Sequence, residues 1–116
     1  MITNTEKINT KIVPILEKVI KIITNLYRDK LFDILLYGSY SRKDEREESD
    51  IDIAIIIDDQ IHPFNEIERI NKEIYELCLK YNLLISIHPI SKEKFLKEKH
   101  FFYKNLHEEG ISLLER

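Results

Sequence analysis

The chain has 116 residues, 43% apolar and 34% charged, with a formal net charge of −3. That balance excludes a disordered chain, and the total charge gives no footprint for direct binding to nucleic acid or an anionic membrane. The single cysteine, Cys78, cannot form an internal disulfide, and no apolar run approaches the roughly 20 residues needed to cross a bilayer.

The opening Met1-Ile2-Thr3-Asn4-Thr5-Glu6 is polar and does not read as a signal peptide. With one unpaired cysteine, this sets a cytoplasmic expectation. Ile12, Leu16, Val19, Ile20, Ile23, Leu26 and Tyr27 then form a helical stripe. Pro14 places the start of that helix near itself, because proline is tolerated only in a first turn. Leu31 to Tyr37 is a short apolar run stopped by Gly38, too short for a helix and suited to a buried strand.

After a polar loop that includes the acidic run Asp44-Glu45-Arg46-Glu47-Glu48, residues Asp50 to Ile57 read as the clearest strand. Alternation puts Ile51, Ile53, Ile55 and Ile57 on one face, and Asp50, Asp52, Ala54 and Ile56 on the other. Pro63 opens a second long helix with the stripe Ile67, Ile70, Ile74, Leu77, Cys78 and Tyr81, ending near Asn82. Cys78 is expected to be buried there.

Leu83 to His88 reads as a third strand, stopped by Pro89. Ser91 caps a short helix running to about Lys99. Phe101 to Glu109 reads as a last helix with Gly110 just past its end, and Ile111 to Leu114 packs back on the domain. The five lysines between Lys92 and Lys104 are interleaved with Glu93 and Glu98 and read as a solvated surface. Phe95, Phe101, Phe102 and Tyr103 are expected in the core or an interface. The order predicts one α/β (α+β) domain over residues 1–116, a small mixed sheet flanked by helices.

The chemistry concentrates in two places. Asp50 and Asp52 have Cα atoms roughly 6–7 Å apart on one strand face. Two such anions raise each other's pKa, and a divalent cation relieves the conflict. Hard oxygen ligands with positions left for water or phosphate suit Mg²⁺ best and Mn²⁺ next. Upstream, Gly38 stands where the backbone turns sharply or approaches a ligand with no Cβ in the way. Ser39 offers a hydroxyl and an N–H to phosphate, and a helical turn after it would aim further N–H groups at an anion. Arg42 and Lys43 add positive charge. A plain turn beside a water-facing sheet edge is the simpler alternative for either feature alone; the two features together point to a metal–triphosphate site.

Gly38-Ser39, ten residues, then Asp50-Ile51-Asp52 resembles the signature of the nucleotidyltransferase superfamily that includes DNA polymerase beta. More closely, Leu36-Tyr37-Gly38-Ser39-Tyr40-Ser41-Arg42 followed by Ser49-Asp50-Ile51-Asp52-Ile53-Ala54-Ile55 is similar to the minimal nucleotidyltransferases of bacteria and archaea. The resemblance implies a single nucleotidyltransferase-fold domain. It implies that Gly38, Ser39, Arg42 and Ser49 contact the nucleotide, that Asp50 and Asp52 bind metal, and that AMP passes from Mg–ATP to a hydroxyl. Active members carry a third carboxylate on a later strand. The matching strand here offers Leu84, Ser86 and His88 on the site face, with the non-acidic Ser86 at the third-carboxylate position and His88 as the candidate general base. Asp58 is about 20 Å from Asp52 along an extended chain and is no substitute.

Minimal nucleotidyltransferases are commonly antitoxins paired with a HEPN-domain ribonuclease toxin, and some attach AMP to a toxin tyrosine. The resemblance therefore implies an antitoxin-like protein adenylyltransferase with a HEPN partner. Two alternatives stand beside it. One is a non-catalytic module that neutralises its partner by contact, favoured by the absent third acid. The other is an enzyme for a small hydroxylated molecule of the aminoglycoside type, opposed by the absence of an acceptor domain.

Overall fold

The computed structural model describes residues 4–46 and 49–114. A 3-10 turn, Thr5–Lys7, precedes helix α1 (Val13–Tyr27) and a second 3-10 turn, Arg28–Lys30. Strand β1 (Leu31–Tyr37), the short helix α2 (Ser39–Arg42), strand β2 (Ile51–Ile57) and helix α3 (Pro63–Tyr81) follow. The chain continues as strand β3 (Ile85–Ser91), helices α4 (Lys92–Lys97) and α5 (Phe101–Glu109), and strand β4 (Ile111–Ser112). Both long helices carry proline in the first turn, where a missing N–H costs nothing.

The four strands lie in the order β3-β2-β1-β4. β1 is antiparallel to β2 and β4, and β2 is parallel to β3, so the sheet is mixed. Alternation along β2 divides the core. Ile51, Ile53, Ile55 and Ile57 face α1 and α3, packing with Ile34, Leu36, Leu16, Val19, Ile23, Ile70 and Ile74. Burial of each such side chain contributes about 1.5–3 kcal/mol relative to exposure. On the opposite face Ala54 and Ile56 join Leu35, Ile90, Phe95 of α4 and Leu106 of α5. Helices thus cover both faces, and the end of β2 that carries Asp52 emerges from the second core. No helix among the described residues is long and apolar enough to cross a membrane.

Several expectations are corrected. β3 runs past Pro89 to Ser91 and starts at Ile85 rather than Leu83. β3 is an outer strand. Leu84 O accepts from Ile51 N (2.9 Å), facing β2; alternation then turns the nitrogen of Pro89 to the free side, where no donor is needed. In α3, Ile67 is 40% exposed and Cys78 only partly buried. At 100° per residue they lie about 60° and 80° from Ile70, on the flank of the stripe. Phe101 is 71% exposed and not a core residue, whereas Phe95 is buried. α4 ends at Lys97, two residues early, with Glu98 already extended; its Ser91 cap accepts from Lys94 N as expected. Strand β4 is two residues long and pairs with Leu35 and Leu36; so short a segment shows no periodicity. Of the acidic run, Asp44 and Arg46 are exposed and Glu45 is half-buried, while Glu47 and Glu48 lie outside the described residues.

Candidate active site

β1 ends in Tyr37, and Gly38 then adopts φ 73°, ψ −152°. That conformation favours glycine. Ser41 N and Arg42 N both donate to Gly38 O (3.1 and 3.2 Å), and Ser41 Oγ donates to the same oxygen (2.9 Å). The turn is closed by Lys43 in the left-handed region, with its N–H on Ser39 O. The first amides of this turn, Ser39 and Tyr40, precede any carbonyl they could reach within it. The helical turn expected after Gly38-Ser39 is therefore present.

Asp52 lies directly beneath it. The antiparallel register pairs Asp52 with Tyr37, and the parallel register pairs it with Ser86. A Cβ built on Gly38 would land on Asp52 Oδ2, with Asp52 Cγ only 3.2 Å away. Gly38 is thus fixed twice, by its backbone angle and by the carboxylate against its Cα. Asp50 stands just before β2, exposed. Among the described residues, no hydrogen bond or ion pair reaches either carboxylate. Burial pushes the Asp52 carboxyl above its ordinary value; the His88 ring opposes this, Asp50 adds to it, and Arg42 opposes it. No cluster of three or more His, Cys, Asp or Glu side chains occurs among the described residues. The donor set is two oxygen-bearing side chains in want of positive charge, which fits a hard cation that keeps several of its positions for water or phosphate.

The other expected residues are distributed as follows. Arg42 reaches Asp44 (Nε, 3.2 Å) and Glu109 at the end of α5 (Nη1, 3.3 Å). Ser49 Oγ accepts from Arg46 N (2.7 Å) and holds the loop before β2. Ser86 faces Asp52 across the strand pair, as its alternation required. His88 is two residues on, paired with Ala54, exposed at its rim. Burial lowers the His88 pKa below the ordinary imidazole value, and Asp52 raises it. Asp58 and Asp59 stay at the far end of β2, tied to Lys92 (3.7 Å) and Lys30 (2.7 Å).

Sequence reasoning missed Tyr37, and it placed Phe102 in the core or an interface, where it lies against the second core, without showing which rings it meets. Tyr37 is the register partner of Asp52, and its hydroxyl pKa is raised by burial and by the Asp52 charge. Its ring meets His88 and Phe102. The alternation of β1 put Tyr37 on the face of Leu35, but only the strand register shows which β2 residue it meets.

A family model described as Polymerase beta, Nucleotidyltransferase matches residues 17–116. The Methanocaldococcus jannaschii protein named "Putative protein adenylyltransferase MJ0141" is 37% identical over 87 residues, 75% of this chain and 85% of its own. MJ0604 of the same organism, similarly named, is 37% identical over 99 residues, 81% of this chain and 93% of its own. Among solved structures, a toxin–antitoxin with AMP-PNP superposes with a TM-score of 0.61 at 22% identity, over 86% of this chain and 73% of the other. A tri-AMPylated Shewanella oneidensis HEPN toxin in complex with MNT antitoxin gives 0.55 at 21% identity, over 86% and 69%. At those identities the solved structures carry the likeness of fold.

Two predictions follow from the contact between Gly38 and Asp52. Gly38→Ala combines a strained left-handed alanine with a clash on Asp52. It is expected to lower unfolding free energy by about 1–3 kcal/mol, read by chemical denaturation; a stability equal to wild type would show that the turn relaxes freely. The second concerns pH. The folded pKa of Asp52 is raised, so the stability from its protonated form is full below about 3.9 and is lost as pH rises through the folded value. At pH 7 the metal-free protein carries that loss, and Asp52→Asn does not. The variant should melt higher than wild type at pH 7, with the gap closing as pH falls toward 4. A gap that widens on acidification would contradict the assignment.

Proposed function

This chain belongs to the polymerase beta nucleotidyltransferase family, and from that premise we propose that it transfers AMP from Mg–ATP to a hydroxyl of a HEPN-domain partner, as an antitoxin-like protein adenylyltransferase acting in the cytoplasm. The observation that carries the proposal is the Asp52 carboxylate pressed under the Gly38-Ser39 turn with Asp50 beside it and, among the described residues, no hydrogen bond or ion pair on either. The names of the relatives support adenylyl transfer to protein. Of the solved complexes of similar fold, the one with a HEPN toxin supports the partner and the one with AMP-PNP supports the nucleotide.

In this reading Asp50 and Asp52 would hold the divalent cation, Mg²⁺ or Mn²⁺. When bound, the cation offsets charge on the triphosphate and on the attacking and leaving oxygens. The amides of Ser39 and Tyr40 point to the triphosphate from the open end of the turn. Arg42 is held by exposed, solvent-screened ion pairs that contribute little, so exchanging Asp44 or Glu109 for a phosphate costs little. Ser49 shapes the approach to Asp50 through its loop bond, with its hydroxyl available to the nucleotide when that loop adjusts. His88 takes the proton of the acceptor hydroxyl. Its lowered pKa keeps the imidazole neutral, and hence basic, at pH 7.

A second reading has a specific observation in its favour. Ser86, in register with Asp52 where an acid is expected, cannot serve as a base; this supports a module that silences its partner by binding alone.

Incubation with labelled ATP, Mg²⁺ and a HEPN-domain partner protein separates the two. Label on the partner is expected, and Asp50→Asn with Asp52→Asn should reduce transfer at least ~100-fold. The same double variant should lose the Mg²⁺-dependent rise in melting temperature of the wild type, a readout independent of activity. A stable, unlabelled complex that still silences the partner would establish the binding module instead. For the base, the wild-type transfer rate should fall as pH drops through the lowered His88 pKa. His88→Ala should be slower by ~100-fold or more and should lack that limb; an unchanged pH–rate profile removes His88 from the mechanism.

A further inference from the structure

The outer edge of the sheet at β3 carries apolar surface that the fold leaves open. Of the seven large apolar side chains exposed among the described residues, Ile67, Tyr75 and Leu79 lie on α3 and Leu84 stands just before β3. Contacts fix how α3 is turned. Ile70 and Ile74 point into the core. Tyr27 Oη of α1 donates to Glu66 (2.6 Å), and Arg69 lies over the Tyr27 ring, so that flank of α3 faces α1. At 100° per residue, Ile67, Asn71, Tyr75 and Leu79 lie on the opposite flank. α3 returns the chain from β2 to β3, the last strand on that side. The apolar flank therefore looks out over the free edge of β3.

Two i+4 ridges run side by side there. One is Ile67, Asn71, Tyr75 and Leu79. The other is Glu68, Lys72, Glu76 and Lys80, all exposed and alternating in sign. Among the described residues no ion pair engages any of these four charges. Alternation at i+4 supports an isolated helix by a few tenths of a kcal/mol per pair, but this ridge has a second property: it is complementary to itself. An antiparallel copy of α3, related by a twofold axis near Ile74, sets Glu68 against Lys80 and Lys72 against Glu76, each pair occurring twice. The same axis, to within one residue, brings Ile67 to Leu79 and Asn71 to Tyr75.

The strand has an axis of its own. Leu84 O accepts from Ile51 N, so Leu84, Ser86 and His88 turn their backbone groups to β2, while Ile85, Ile87 and Pro89 turn theirs outward. An antiparallel copy centred on Ser86 pairs Ile85 of one chain with Ile87 of the other, twice, closing four N–H···O=C bonds. Pro89, which has no N–H, falls opposite Leu83, before the strand begins. The two axes come to the same level. The chain reverses at Asn82, the left-handed cap of α3. Ile74 lies about 12 Å back from it along the helix, and Ser86 about 13 Å along the strand. One twofold thus satisfies helix and strand together, and a copy of this chain supplies it by symmetry.

We propose that this edge is the interface of a symmetric homodimer, in which the two β3 strands join antiparallel into one eight-stranded sheet and the two α3 helices pack beside each other. Leu84 of each copy then stands beside His88 of the other. The two Asp52 carboxylates lie about 14 Å apart, three strand spacings. That exceeds the screening length of about 8 Å at physiological salt, so their charge does not oppose the pairing.

The full chain is expected to sediment as a dimer at millimolar concentration and to dissociate on dilution. Lys72→Glu with Lys80→Glu makes the ridge wholly acidic, and Glu68→Lys with Glu76→Lys makes it wholly basic. All four positions are exposed, so neither reversal should disturb the core. Each should weaken self-association at least ~100-fold, and an equimolar mixture of the two should restore the dimer. In a Cys78→Ser background, Ser86→Cys should cross-link to its own copy on mild oxidation, because the axis sets the two residues opposite each other in a close, non-hydrogen-bonded pair. A chain that stays monomeric at every concentration overturns the proposal and leaves the edge to a partner of different sequence. A dimer that survives the charge reversals, or that gives no cross-link at residue 86, overturns it too, by placing the contact elsewhere.

Discussion

The carboxylate of Asp52 rests against the Cα of Gly38, and the geometry of the site follows from that contact. It needs a residue without a side chain at 38, a backbone in the left-handed region there, and a strand register that brings position 52 under the turn. The register in turn is held by the apolar faces of β1 and β2, from Ile34 opposite Ile55 to Leu36 opposite Ile53. A slip of one residue would send every isoleucine of β2 to the wrong face. The hydrophobic core and the carboxylate position are therefore one specification. The same contact removes part of Asp52 from water with no donor to meet it, which is the physical content of its raised pKa. A cation bound there, as proposed, would remove that penalty, so the bare fold carries a local destabilisation that such a ligand would relieve.

The site face of β2 changes character within three alternate positions: an exposed acid at 50, a half-buried acid at 52, and a fully buried alanine at 54. Ala54 is what lets that change be abrupt. A larger side chain would separate Tyr37 from His88 and fill the space between the polar end and the core. Because it is small, rings from the two strands that flank β2 and from α5 close over it and seal the interior. α5 contributes at both ends, with Phe102 on the rings and Glu109 on Arg42. One helix thus touches both the apolar wall and the basic side chain nearest the turn.

The fold was largely legible because its signals are local. The alternation of Ile51 to Ile57, the stripe of α1 and the prolines at 14 and 63 each report on neighbours in sequence. So did the pairing of Gly38-Ser39 with Asp50 and Asp52, and the alternation that brings Ser86 and His88 to the site face. What was not legible depends on which strand lies beside which. Pro89 is a stop signal in a central strand and harmless on the outer side of an edge strand; the sequence does not say which strand is the edge. Tyr37 became a neighbour of Asp52 only through the β1–β2 register, and Phe102 reached the same point from 65 residues away. Ile67 was misplaced for a different reason: a helical stripe has flanks, and a residue there can face either way.

Ser86 is where the site departs most from a three-acid arrangement, and the electrostatics explain what that departure does. A third carboxylate at 86 would stand in register with Asp52, next to a group already pushed toward protonation by burial and by Asp50. It would add basicity only by adding to the negative charge that a bound cation would have to offset. Serine leaves the pair of acids easier to ionise, and under the proposed mechanism it would move proton acceptance to a group that is neutral before the reaction and positive after it. His88 is suited to that exchange, because Asp52 favours its charged form while burial favours its neutral one. Proton transfer to His88 would place a positive charge beside the carboxylate only as the new bond forms, when the attacking oxygen loses its proton. Under the proposed mechanism, the combination of Ser86 and His88 would trade a permanent charge for one that develops during the reaction.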